Sequence, residues 1–317
     1  MYIALSRLMR NIVFEALAEA ARGGEPVALG IITSVTGSSP QKVGAKALFY
    51  ADGRITGTVG GGCLEAEIQQ RALQSLRTGQ GTTFELALDG DYGWDDGLLC
   101  GGKVFGVILP GAQKAGEALW RKLAERKQAL TWGVRSDYTI TIAPDDASAG
   151  WRYREAVTAP CALWIAGAGH IAQAVAPLAL ALAFSVAVFD DRPALANHRF
   201  FPPEVELHAE VWEKMLAQPL PSAPCFGLIV TRGHRHDGLV LEAWIHQPFA
   251  FLGMIGSLGK ARAMFEHFTR EKLATPAELA RVACPVGVKI RSQSPLEIAV
   301  SIAAQLIDKR AELMPKA

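Results

Sequence analysis

Thirty-four consecutive residues without a charged side chain, from Ala156 to Phe189, constrain this 317-residue chain more than any other feature. The run is long enough to cross a bilayer as one helix. Its internal punctuation argues for something else. Gly167 and Gly169 break it after the short β-rich stretch ALWIA, Gln173 and Pro177 interrupt the following helical stretch, and FSVAVFD closes it as a second β-rich stretch. A strand, a helix and a strand buried on both faces of a parallel sheet read in this way. Later segments repeat the alternation: FGLIVTRG, a helix from Asp237, then FAFLGMIGS. The second half is therefore expected to form a Rossmann-like doubly wound parallel sheet.

The first half reads differently. Helical spacing over 8–21 is followed by the β-branched strand VALGIITSVTG, a hairpin turning at Asp52-Gly53, and a helix that ends at Gly79. Residues 113–128 are expected to form one amphipathic helix, and 131–155 two short strands. The fold class is α/β, with a mixed α/β N-terminal domain over 1–157 and the Rossmann-like domain over 158–317. Thr275-Pro276-Ala277-Glu278 and Ser294-Pro295-Leu296-Glu297 each carry a hydroxyl, a proline and a glutamate at the spacing of a capping box.

Composition excludes several functions. A net charge of +1, without a basic run, gives nucleic acid no electrostatic footprint. Five cysteines without paired spacing argue against a disulfide framework and fit a reducing cytoplasm. Arg7, Arg10, Glu15 and Glu19 interrupt what a secretion signal would need as an uncharged stretch. No membrane partner is expected.

Candidate site residues fall into three groups. Gly167-Ala168-Gly169-His170-Ile171-Ala172 reads G-x-G-x-x-A between strand and helix, and Asp190 lies 23 residues after Gly167, near the spacing of a ribose-binding carboxylate. Thr231-Arg232-Gly233-His234-Arg235-His236-Asp237 follows another strand. A doubly wound sheet gathers its strand ends at one edge, so His170, Asp190, His234 and His236 are expected there as cleft-lining anion or cofactor contacts rather than metal ligands. The third group is Gly60-Gly61-Gly62-Cys63-Leu64-Glu65, where consecutive N–H groups would face an anion and Cys63 would occupy the first helical turn. Glu65 opposes a thiolate there unless it binds a donor. Cys100, in Gly97-Leu98-Leu99-Cys100-Gly101-Gly102, is a second glycine-flanked thiol. Cys161, Cys225 and Cys284 lack that context.

GSSPQKVGAKALFYADGRITGTVGGGCLEAEI resembles the N-terminal signature of the xanthine dehydrogenase accessory (XdhC/CoxI) family. GLLCGG, LWIAGAGHIA, VFDDRP, TRGHRHD, FLGMIGS and VGVKIRSQSPLEIAVSIAAQLI resemble its later blocks in the same order. The resemblance implies a maturation factor that binds molybdenum cofactor, as molybdopterin or its nucleotide form, and assists its sulfuration and insertion. The implied partners are a molybdenum hydroxylase client and a cysteine desulfurase, and a homodimer would suit a protein that embraces its client. Cys63, Cys100, Gly167, Gly169 and Asp190 match the family's motif positions. Two departures are Pro177 within the first Rossmann helix and Leu258-Gly259-Lys260, where the family is often more basic. The alternative from the residues alone is an NAD(P)-dependent oxidoreductase using His170 or His236 as general acid/base. A metal-dependent hydrolase using His234, His236 and Asp237 is a third.

Overall fold

In a computed structural model of the protein, residues 12–39, 41–87, 102–143 and 150–313 are described, and Cys100 falls outside them. They form two compact units, one ending at Ala159 and the other beginning at Pro160.

The N-terminal unit opens with α1 (Ile12–Gly23) and β1 (Val27–Thr36). β1 is buried on both faces because its residues alternate between two cores: Leu29 and Ile31 join Phe14, Trp120 and Trp132, while Ala28 and Ile32 join Phe49, Leu64 and Ile68. β2 (Lys46–Tyr50), β3 (Ile55–Gly57), β4 (Thr82–Ala87) and β5 (Lys103–Pro110) complete a five-stranded antiparallel sheet in the order β3-β2-β1-β5-β4. α2 (Gly62–Thr78) covers one face, and Gly79 ends it in the left-handed conformation at φ 72°. On the other face α1 packs with α3 (Glu117–Ala124).

Two expectations change here. The helix expected over 113–128 is a 3₁₀ turn, Ala112–Ala115, and the separate α3, because Gly116 between them adopts φ 97°. The 131–155 region holds three strands rather than two: β6 (Leu130–Arg135), β7 (Ile140–Ala143) and β8 (Trp151–Val157), in the order β7-β6-β8. The unexpected turn between β6 and β7 lacks glycine and proline. Asp137 builds it by accepting hydrogen bonds from the Thr139 backbone N–H at 3.0 Å and its hydroxyl at 2.7 Å. Lys46 on β2 reaches Glu155 on β8 at 2.7 Å beside the rings of Phe14, Trp132 and Tyr153, tying the two sheets together.

In the C-terminal unit β9 (Ala162–Ala166), β10 (Ser185–Phe189), β11 (Glu206–His208), β12 (Cys225–Ile229), β13 (Phe251–Met254) and β14 (Val282–Ala283) form one parallel sheet in the order β11-β10-β9-β12-β13-β14. Leu163 and Ile165 of β9 face α4 (His170–Ala181) and α9 (Pro295–Glu312). Its Ala162, Trp164 and Ala166 face α5 (Trp212–Leu216), α6 (His234–Trp244) and α7 (Leu258–Arg270). Helices on both faces explain why these strands lack polar alternation. The chain crosses from β10 past β9 to β12, so the strand order reverses between β9 and β12, the place where such sheets bind ligands. α9 and the short α8 (Pro276–Leu279) both start with the expected capping box. No helix among the described residues is long and apolar enough to cross a membrane.

Candidate functional site

The glycines of the first Rossmann turn do different work. Gly167 adopts φ 113°, and a Cβ there would lie 2.4 Å from the Val230 carbonyl oxygen. It lets the ends of β9 and β12 touch. Gly169 has ordinary backbone angles, φ −77°, yet a Cβ on it would meet nothing within 4 Å. Gly169 is the N-cap of α4 without a side-chain cap, so the first amides of that helix open onto free space. Gly233 repeats this at the start of α6, again with nothing within 4 Å of an added Cβ. His170 is exposed at the first position of α4.

Asp190 does not have the oxygens expected of a ribose ligand at its disposal. It is 1% exposed. Its Oδ2 accepts from the Ala168 N–H at 2.7 Å and from Arg192 Nη2 at 2.7 Å, and its Oδ1 accepts from Arg192 Nε at 2.7 Å and Arg192 N at 3.0 Å. The carboxylate braces the glycine turn. Burial pushes its pKa up, but the Arg192 guanidinium and the Ala168 amide outweigh burial and hold it below the ordinary aspartate value. A depressed folded-state pKa gives stability that is present above the unfolded value of about 3.9 and is lost as pH falls through the folded one. Wild type should therefore be more stable than Asp190→Asn at pH 6, with the gap closing below about pH 4, as read by urea unfolding across that range.

The neighbouring Asp191 pairs with Arg232 at 3.0 Å, and Arg232 Nη2 lies 2.9 Å from His236 Nε2. This chain links the end of β10 to the start of α6. Asp237, from which this helix was expected to run, instead lies fully buried in the first turn of α6 and reaches back. Its Oδ1 accepts from the Thr231 hydroxyl at 2.6 Å and the Thr231 N–H at 3.2 Å, and its Oδ2 accepts from Lys260 Nζ at 2.5 Å. Lys260 enters from α7, whose N-cap Ser257 accepts from the Lys260 N–H. The one basic residue of Leu258-Gly259-Lys260 is thus fixed at the same edge.

A cavity of about 1070 Å³ opens beside this edge between α5, α6 and α7. Arg232, His234, Arg235, His236 and Lys260 border it, while Leu239, Met264, Phe268 and Leu273 supply apolar wall. Of the four residues expected together at this edge, His234 and His236 border the cavity, and His170 and Asp190 do not. Thr231 and Lys260 were legible in the sequence only as members of their segments; their bonds to Asp237 and the apolar wall from α7 went unread.

In the N-terminal unit, Gly60, Gly61 and Gly62 have φ values of 152°, 87° and 58°, a run open only to glycine at low strain. A Cβ on Gly61 or Gly62 would meet nothing within 4 Å. Glu65 binds donors of the turn: it accepts from the Thr58 hydroxyl at 2.9 Å and the Val59 N–H at 3.3 Å, fastening it. Cys63 is half-buried in the first turn of α2. Cys161 and Cys225 are buried at strand starts. No group of three or more His, Cys, Asp and Glu side chains among the described residues is placed to hold a metal.

Comparison with known families matches residues 20–86 to the XdhC and CoxI family and residues 163–306 to the XdhC Rossmann domain. The chain belongs to the XdhC/CoxI family. Its relatives include YqeB of Escherichia coli K12, an uncharacterized protein 28% identical over 93% of this chain; the match spans 46% of YqeB, so the chain accounts for about half of that relative. A Bacillus subtilis 168 protein named as a probable xanthine dehydrogenase component is 25% identical, over 90% of this chain and 94% of its own. PaoD of Escherichia coli K12, a molybdenum cofactor insertion chaperone, is 25% identical over 92% and 86%. A crystal structure from Bacillus halodurans, described as a xanthine dehydrogenase, superposes with a TM-score of 0.79 at 23% identity over 95% of this chain and 96% of that one, and so shares this fold.

Proposed function

We propose that this protein is a maturation factor for a molybdenum hydroxylase: it holds molybdenum cofactor as cargo and assists its sulfuration and insertion into the client. The observation that carries this reading is the pair of uncapped helix starts at Gly169 and Gly233, open above their amides, next to Arg232 and Lys260. Such amides suit the phosphate end of a molybdopterin or its nucleotide form, because a helix N-terminus binds anions without a full cationic charge. His170, His234 and His236 stand at the same helix starts as further polar contacts. In the N-terminal unit the open turn at Gly60, Gly61 and Gly62 offers another anion-binding concavity, and Cys63 offers a soft sulfur suited to molybdenum. Cys100 is assigned the same chemistry. Similarity to PaoD supports the insertion role, with a cysteine desulfurase as sulfur donor. The oxidoreductase alternative asks Asp190 to hold a ribose while both of its oxygens already accept hydrogen bonds from Ala168 and Arg192.

Co-expression with a molybdenum hydroxylase tests the role. The fraction of client carrying an active, sulfurated centre is expected to rise several-fold with wild type and less with Cys63→Ala at equal protein levels. A client fraction unchanged by wild type would refute it.

A further inference from the structure

The cavity between α5, α6 and α7 has a chemistry that anion-binding amides do not explain. Its volume of about 1070 Å³ accommodates a drug-sized ligand. One side is cationic, with Arg232, Arg235 and Lys260; another part of the wall is apolar and aromatic, with Met264, Phe268 and Leu239. A phosphate alone has no use for the second part. Glu213 on α5 and Glu242 on α6 also line the cavity, and phosphate would be repelled by them. Trp212, 6% exposed, adds a further aromatic side chain to the lining.

We infer that this cavity receives the pterin ring of the cargo, an assignment that rests on the proposed maturation role. A pterin is a heterocycle with flat faces for stacking and a polar edge, on which its 2-amino group and adjacent ring N–H present two parallel donors. That edge matches a carboxylate, which neither a nicotinamide nor a bare phosphate would require. The ring stacks against Phe268 and Met264, and Glu213 or Glu242 accepts from its donor edge. The anionic substituent then points toward Lys260 and Arg232.

The probe is pterin-6-carboxylate, a fluorescent pterin with an anionic arm, titrated into the full-length protein alongside molybdenum cofactor itself. Ala263→Trp plugs the cavity from an exposed position on α7 and leaves every charge in place. The inference expects saturable binding of the probe, weakened at least tenfold by Ala263→Trp and also by Glu213→Gln/Glu242→Gln, with unchanged melting curves. GMP, which shares the donor edge, should compete, and AMP, which lacks it, should not. If wild type and Ala263→Trp bind the cofactor equally well, the ring sits elsewhere and the inference fails while the maturation role stands. If wild type binds neither probe nor cofactor, both fail together.

Discussion

Gly167→Ala is expected to destabilise the C-terminal unit by about 4 kcal/mol, seen as a large downward shift in the midpoint of urea or thermal unfolding. Two effects add. A side-chain-bearing residue at φ 113° is strained, which costs about 1–3 kcal/mol. The new methyl would also lie 2.4 Å from the Val230 carbonyl oxygen and 2.9 Å from Thr231 Cα, an overpacking against backbone worth about another 1–3 kcal/mol. Backbone at the crossing of β9 and β12 cannot swing aside as a flexible side chain would. Gly169→Ala, two residues on, is the control. Its backbone angles suit alanine and its Cβ meets nothing within 4 Å, so stability should change by less than about 0.5 kcal/mol. A near-equal loss in both variants would show that the turn tolerates strain the contacts do not predict.

Asp237→Asn should be nearly as damaging, at about 3 kcal/mol or more, because it leaves the Lys260 ammonium without its buried counter-charge. Asp237 is fully buried and the Lys260 side chain is 29% exposed, so solvent replaces the carboxylate only in part. The Thr231 hydroxyl and amide lose their charged acceptor in the same step. The loop that positions Arg232, His234 and His236 is anchored by those bonds, so ligand affinity at this edge should fall along with stability. Lys260→Met in the Asp237→Asn background should recover part of the stability, since two matched neutral groups are better tolerated than one orphaned charge. Additive losses in the double variant would mean the pair is not coupled.

The sheet was legible in the chain because burial on both faces leaves a plain signature: uncharged runs such as Ala156 to Phe189 punctuated by glycine. The β6–β7 turn was not legible, since its bend depends on an aspartate side chain bonding to Thr139 rather than on glycine or proline. Gly116 looked like one more residue of an amphipathic helix, and only its left-handed backbone reveals the break. At the site, the G-x-G-x-x-A pattern announced a turn but could not separate Gly167, which serves packing, from Gly169, which faces open space. Asp190 was read by spacing as a ribose ligand, whereas Arg192, two residues later, was the signal for what its carboxylate does. The Asp237–Lys260 pair joins positions 23 residues apart through tertiary structure, and no local pattern encodes such a contact.

Direct binding of molybdenum cofactor to the purified protein tests the central claim most closely. Equilibrium dialysis under anaerobic conditions should give saturable binding, about micromolar or tighter, for wild type. Gly169→Asp should abolish it with an unchanged melting temperature, since a carboxylate would then occupy the space above the α4 amides. No binding by wild type, or equal binding by Gly169→Asp, would contradict the account.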